Sequence, residues 1–406
     1  MSPEEAFARL WSQLEPIGRG PGGAYHRLAW TEADLACRQW FRDRAEEGGL
    51  TLDEDGNGNQ WAWWGEPGPG AVVTGSHLDS VPGGGAFDGP LGVVSSFLAV
   101  DALRAGAESP GRPVAVVNFA DEEGGRFGVA CAGSRLATGS LEPDRALARR
   151  DRDGVSLAEA LAGAGLDPAA CGPDPERIGR IGTFVELHVE QGRRLVDLDA
   201  PVGVATAVWP HGRWRYDFAG RGDHAGTTRL ADRSDPVLPL AHAVLAAREA
   251  AEAAEAVATI GRIEVRPGAV NAIASSASAW LDARAPEQST VRRVAEQVSA
   301  RARAAGADHG VRVAVDEESW TGGAEFAPDL RSRLAAAVER RLGTVAELRT
   351  GAGHDAAVIA ACAPAGMLFV RNPTGTSHDP AESATVEDCL AGVQALTAVL
   401  ADLLRG

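Results

Sequence analysis

Ala71-Val72-Val73-Thr74-Gly75-Ser76-His77-Leu78-Asp79, followed by a loop rich in glycine from Gly83 to Gly92, is the stretch that decides the fold. Ala71–Thr74 has the composition of a buried strand, the segment from about Val93 to Ala105 that of a helix, and Val114–Phe119 is a second, fully apolar strand. Strand, helix and strand at this spacing form a βαβ unit, which predicts an α/β fold with a mostly parallel sheet covered by helices. In open sheets of this kind ligands bind at the carboxyl ends of the strands. His77 and Asp79 stand at such an end, and Phe87-Asp88-Gly89 lies in the glycine loop that follows. Asp121-Glu122-Glu123-Gly124 stands at the end of the second strand.

Working outward, the first 50 residues read as helical, with Asp34–Glu47 amphipathic and stopped at Gly48-Gly49. The N-terminus, with Ser2 as cap, Pro3 in the first turn and Glu4, Glu5 and Arg9 among its apolar residues, reads as a helix start and not as a signal peptide. Residues 140–182 are expected to be mixed helix and loop. The texture changes near residue 207: a strand at Arg213–Phe218, an alanine-rich helix over Asp235–Ala258, strands at Ile260–Val265 and Ala277–Ala283, a helix over Thr290–Ala305 and a strand at Val311–Val315. After Gly322 come a helix (Asp329–Leu342), a strand (Gly366–Val370) and a closing helix (Val386–Leu404). The expected organisation is a discontinuous catalytic domain, residues 1–207 and 321–406, interrupted by an α+β domain over residues 208–320.

Composition narrows the chemistry. The chain has 406 residues and a formal net charge of -17, from 39 basic against 56 acidic side chains, and every basic one is arginine. Without lysine there is no Schiff base, no pyridoxal phosphate anchor and no P-loop lysine. The acidity argues against nucleic acid and anionic membranes as partners, and no run of 18 uncharged apolar residues suggests a membrane span. Five scattered cysteines with no Cys-x-x-Cys pair fit reduced thiols in the cytoplasm.

Two more histidines join the strand-end acids. Glu186-Leu187-His188-Val189-Glu190-Gln191-Gly192 sets His188 in an apolar strand-like context, and Ser377-His378-Asp379-Pro380-Ala381-Glu382 forms a polar loop after the strand Gly366–Val370. Imidazoles and carboxylates converging from successive strand ends suit zinc or manganese. The run of motifs resembles the zinc-dependent aminoacylase and carboxypeptidase metallopeptidase family. It is most similar to the amidase/hydantoinase/carbamoylase branch, which contains allantoate amidohydrolases, N-carbamoyl-L-amino-acid hydrolases and β-ureidopropionases.

That resemblance implies two divalent metal ions (zinc or manganese, with cobalt or nickel as alternatives) bridged by Asp88, one held by His77 and His188, the other by Glu123 and His378. It implies Glu122 as the catalytic carboxylate and Asp79 as the acid that orients His77. His188 separates the chain from peptidase relatives that use a carboxylate at that position. Gly222-Asp223-His224-Ala225-Gly226-Thr227-Thr228 matches the segment whose histidine stabilises the oxyanion across a dimer interface. Asn271 and Arg284 match residues that hold the substrate carboxylate, and Gln191 and Gly353 further substrate contacts. The inserted domain then acts as lid and dimerisation domain of a homodimer.

Two departures bear on the substrate. Arg229-Leu230 stands where relatives usually continue Pro-Met, and the strand entering the insert carries Trp209-Pro210-His211-Gly212. Arg229 or His211 could then read a second acidic group. The expected activity is metal-dependent hydrolysis of a linear non-peptide C–N bond in a small anionic N-acyl or ureido substrate, of the allantoate or N-carbamoyl-L-amino acid type. Alternatives are hydrolysis of N-formyl- or formimino-glutamate-type acids, an aminopeptidase or carboxypeptidase, and a non-catalytic binding protein.

Overall fold

The computed structural model describes residues 1–106 and 110–405. The chain divides into two compact units: Met1–Ala207 with the chain from Glu325 onward, and Val208–Ala324.

The first unit is built on a mixed sheet of strand order Thr51–Glu54, Gln60–Trp64, Val114–Phe119, Ala71–His77, Ile181–Val189, Ala365–Val370 and Val202–Val208, with Ala346–Thr350 also paired to the last of these. The four central strands, from Val114–Phe119 to Ala365–Val370, run parallel, while Gln60–Trp64 is antiparallel to both its neighbours and Val202–Val208 is antiparallel to Ala365–Val370. Their side chains are buried on both faces, which explains the continuous apolar runs in the sequence. The helix Pro90–Arg104 packs on Ala71–His77 and Ile181–Val189, and against the closing helix Val386–Arg405. Gly92 allows that approach, because a Cβ there would collide with the Leu187 carbonyl. Helices Pro3–Leu14, Glu32–Glu47 and Pro328–Leu342 complete the unit, and Phe41, Phe97, Val116, Leu187, Leu368 and Leu396 belong to its core. At the first helix Ser2 and Glu5 close a capping box.

The second unit holds a four-stranded antiparallel sheet in the order Arg312–Thr321, His211–Ala219, Ser276–Arg284, Val257–Arg266. Burial alternates strictly along the two central strands. Trp214, Tyr216, Phe218 and Leu281 face the helices Val237–Ala254 and Gln288–Asp308, while Arg213, Arg215, Asp217, Trp280 and Asp282 line the opposite face.

Several boundaries differ from the sequence reading. The alanine-rich helix stops at Ala254 because Glu255 takes a left-handed conformation (φ 52°), and the next strand begins at Val257. The strand Arg312–Thr321 runs past residue 320, so the second unit closes at Ala324. The strands Thr51–Glu54, Gln60–Trp64, Val202–Val208 and Ala346–Thr350 were not anticipated, although Ala346–Thr350 alternates and Trp61–Trp64 and Val202–Val208 are largely apolar.

Candidate metal centre

Because the central strands are parallel, their carboxyl ends lie along one edge of the sheet. His77 ends the first, the Glu122-Glu123 turn follows the second, His188 is the penultimate residue of the third, and His378 lies in the loop after the fourth. Asp88 comes from the loop that feeds the helix Pro90–Arg104. The five residues converge.

The hydrogen bonds fix which atoms face inward. Nδ1 of His77 lies 3.1 Å from the carbonyl of Asp79, and Nδ1 of His188 lies 2.8 Å from that of Val189. A carbonyl only accepts, so each Nδ1 carries the hydrogen and each Nε2 presents a lone pair. Those Nε2 atoms lie 3.7 and 3.2 Å from Asp88 Oδ1. The other carboxylate oxygen, Oδ2, lies 3.4 Å from His378 Nε2, which is also 3.4 Å from Glu123 Oε2. Two donor sets result, His77–Asp88–His188 and Asp88–Glu123–His378, and they share one carboxylate through its two oxygens.

The fit to divalent cations is good on the side chains themselves. His77 Nε2, His188 Nε2 and Glu123 Oε1 are buried without hydrogen bonds, and such unpaired lone pairs are costly unless something completes them. Burial would push the Asp88 carboxyl up, but the His188 and His378 rings outweigh it and hold it well below the usual carboxylate range. Burial and then Asp88 push Glu123 up to about 7, while Asp88 raises His378 to about 9. The pocket is a concentration of negative charge that stabilises positive charge placed within it.

A ring of further contacts holds these groups. Asp79, expected as the acid that orients His77, has its Oδ1 3.5 Å and its carbonyl 3.1 Å from the ring's Nδ1, and its two carboxylate oxygens also accept the backbone N–H groups of Glu122 and Glu123, each at 3.1 Å. Asp79 therefore locks the Glu122-Glu123 turn to the His77 strand. Gly89, with φ +86°, lies against the His77 ring so closely that an added Cβ would stand 2.5 Å from it. Gln191 donates to Asp88 Oδ2 at 2.8 Å and Ser377 at 3.2 Å. Beside Gly353, His354 meets the His188 ring edge-on, with centroids 4.5 Å apart.

The remaining sequence candidates lie in the second unit. His224 bridges to Ala272, next to Asn271, and both line an open cleft of about 600 Å³ with Asp223 and Arg266. The backbone N–H groups of Gly226 and Thr227 donate to His224 Nδ1 at 3.0 and 3.2 Å, so Nε2 carries the hydrogen and is the outward donor. Arg284 stands elsewhere. It ends the strand Ser276–Arg284 whose start adjoins the Asn271 loop, and eight residue steps of strand span roughly 25 Å. Asn271 and Arg284 were expected to hold one carboxylate together; within one copy of the chain they are too far apart, because the strand carries them to opposite ends of the sheet. Arg229 is 83% exposed and its Nε donates to Asp232 at 2.7 Å.

The description Peptidase family M20/M25/M40 matches residues 73–402. The chain belongs to this family. It is 35% identical to an N-carbamoyl-L-amino acid amidohydrolase of Geobacillus stearothermophilus, covering 98% of each chain. It is 31% identical to an allantoate amidohydrolase of Escherichia coli, again over 98% of each. A crystal structure of an amidase of the hydantoinase/carbamoylase family from Burkholderia vietnamiensis superposes with a TM-score of 0.90 at 30% identity, covering 98% of this chain and 97% of that one.

Two contacts within this M20 scaffold escaped the sequence reading. Glu382 accepts the backbone N–H groups of Phe87 and Asp88 at 2.8 and 2.9 Å, tying the His378 loop to the Asp88 loop. Cys131, buried, donates its thiol to Glu122 Oε1 at 3.3 Å. The first was legible only as one more acid in the quoted Ser377–Glu382 loop, and the second left no signal beyond a lone cysteine.

Proposed function

We propose that the chain is a divalent-metal-dependent amidohydrolase that cleaves a linear, non-peptide C–N bond of a small N-acylated anion, of the N-carbamoyl-L-amino acid or allantoate class. The observation that carries this reading is Glu122, a buried carboxylate set beside two donor groups that share Asp88. The M20 membership and the amidohydrolase relatives support it. One ion of zinc or manganese type would be held by His77, His188 and Asp88, and another by Asp88, Glu123 and His378. When bound, such ions lower the pKa of water and polarise a carbonyl.

The protein's own groups divide the remaining work. Glu122 takes the proton from the attacking water and delivers it to the leaving nitrogen. Asp79, through both backbone N–H groups, keeps Glu122 and Glu123 in register with His77. Arg284 holds the substrate carboxylate with a planar fork whose orientation Asp282 fixes. His224, with its hydrogen on Nε2, is suited to donate to the developing oxyanion. Five free cysteines fit a reducing, cytoplasmic setting.

A panel of allantoate, N-carbamoyl-L-alanine, N-formyl-L-glutamate, N-formimino-L-glutamate and a dipeptide, assayed with manganese, zinc or cobalt, tests the reading. Turnover of ureido acids that a chelator abolishes is expected. Hydrolysis of the dipeptide alone would overturn it.

The distance between His224 and Arg284 adds a homodimer to this proposal. A small anion cannot reach both across roughly 25 Å, so each site would take Arg284 from one copy and His224 and Asn271 from the other. Arg284→Ala and His224→Ala proteins should each be inactive alone. Co-expressed, they should regain about a quarter of wild-type activity, since half of randomly paired dimers carry one intact site of two. No recovery in verified mixed dimers would refute the shared site.

A further inference from the structure

The segment Trp209-Pro210-His211-Gly212 has no part in the function so far described. His211 opens the strand His211–Ala219 and is paired directly with Arg284 across the antiparallel ladder. Facing residues project from the same side of a sheet as close neighbours, so the imidazole and the guanidinium stand side by side. The guanidinium is anchored: Arg284 Nε donates to Asp282 Oδ1 at 2.7 Å and Nη2 to Oδ2 at 3.1 Å, and Arg213 donates to the same carboxylate at 3.1 Å.

The ring beside it has a defined polarity. His211 Nδ1 lies 3.2 Å from the Trp209 carbonyl, which can only accept, so Nδ1 carries the hydrogen and Nε2 is an acceptor. Burial, and then the Arg284 guanidinium, push the ring's pKa below its ordinary value. With its hydrogen on the Trp209 carbonyl, the ring turns an acceptor, and not a donor, toward a bound ligand. An acceptor next to a carboxylate-binding cation suits a ligand that carries a hydrogen-bond donor next to its carboxylate.

We infer that His211 is a specificity-determining residue that accepts a hydrogen bond from the N–H on the carbon bearing the substrate carboxylate, so that the enzyme selects α-N-acyl acids. The inference rests on the reading of Arg284 as the residue that holds that carboxylate. A β-ureido acid places its N–H one carbon further away, and an Nα-methylated acid has no such hydrogen. A site built around an acceptor rejects ligands that leave it unpaired.

The test compares kcat/KM for N-carbamoyl-L-alanine, its Nα-methyl analogue and N-carbamoyl-β-alanine in wild type, His211→Phe, His211→Gln and Arg284→Met. Phe keeps the ring's shape without the acceptor, and Gln restores an acceptor. His211→Phe should shrink the preference for the N–H substrate over both others by about threefold to tenfold, the range of one neutral hydrogen bond. His211→Gln should restore most of it, and Arg284→Met should raise KM for all three. If His211→Phe leaves the ratios unchanged while Arg284→Met raises KM, the role of His211 is refuted and the carboxylate reading stands. If Arg284→Met leaves every KM unchanged, or wild type turns over none of the three, the underlying reading fails and His211 with it. Matching losses in His211→Phe and His211→Gln would make the residue structural and also overturn the inference.

Discussion

Asp88→Ala is expected to purify with almost none of the divalent metal that the wild type retains. Its kcat/KM should fall by much more than the roughly 10- to 100-fold that follows loss of a partner outside the ligand shell. The two oxygens of this carboxylate face different donor sets, Oδ1 toward His77 and His188 and Oδ2 toward His378. Removing it therefore takes a donor from both sets at once and leaves the imidazoles with no anion between them. The backbone N–H of residue 88 still reaches Glu382, so the loop should keep its path and the protein its fold. Elemental analysis after dialysis, with thermal unfolding as a control, reads the outcome. Metal content near that of the wild type in a folded Asp88→Ala protein would show that the bridge lies elsewhere.

Glu122→Gln separates binding from chemistry. The amide has the size of the carboxylate and can still accept from the Cys131 thiol, which meets Oε1 at 3.3 Å. Its backbone N–H remains on Asp79. What is lost is the capacity to take a proton from water and return it to the leaving nitrogen. Turnover should drop by roughly 10²- to 10⁴-fold with metal content unchanged and KM little affected. A variant that keeps more than a tenth of wild-type kcat would move the proton-transfer role to another group.

The residues of the two donor groups were legible because most of them sit at strand ends, where an apolar run stops and a polar residue follows. His77, Glu123 and His188 are all legible in that way, and Asp88 through the glycines around it. Contacts whose partners are distant in sequence left no such trace. Glu382 lies 295 residues from Phe87, and nothing local to either suggests the pairing. Asp79 was placed beside His77, but its hold on the Glu122-Glu123 backbone depends on two strands lying side by side. In the second unit, strict alternation gave the strands, but alanine-rich continuity concealed the helix stop at Glu255, which is a backbone event rather than a compositional one. The separation of Asn271 from Arg284 follows from strand length and could have been anticipated by counting residues along Ala277–Ala283.

The clamp of Glu382 on the Phe87–Asp88 backbone also sets when the centre can exist during synthesis. His77, Asp88, Glu122, Glu123 and His188 leave the ribosome early, but the strand Ala365–Val370, His378 and Glu382 emerge only after the whole second unit has been translated. Until then the strand Ile181–Val189 lacks its neighbour on one side, and an open strand edge invites pairing with other chains. The Asp88–Glu123–His378 group is thus complete only late in translation, whereas His77, Asp88 and His188 are all made before the second unit. A product truncated before Ala365 would lack both the neighbour of Ile181–Val189 and the imidazole that faces Glu123.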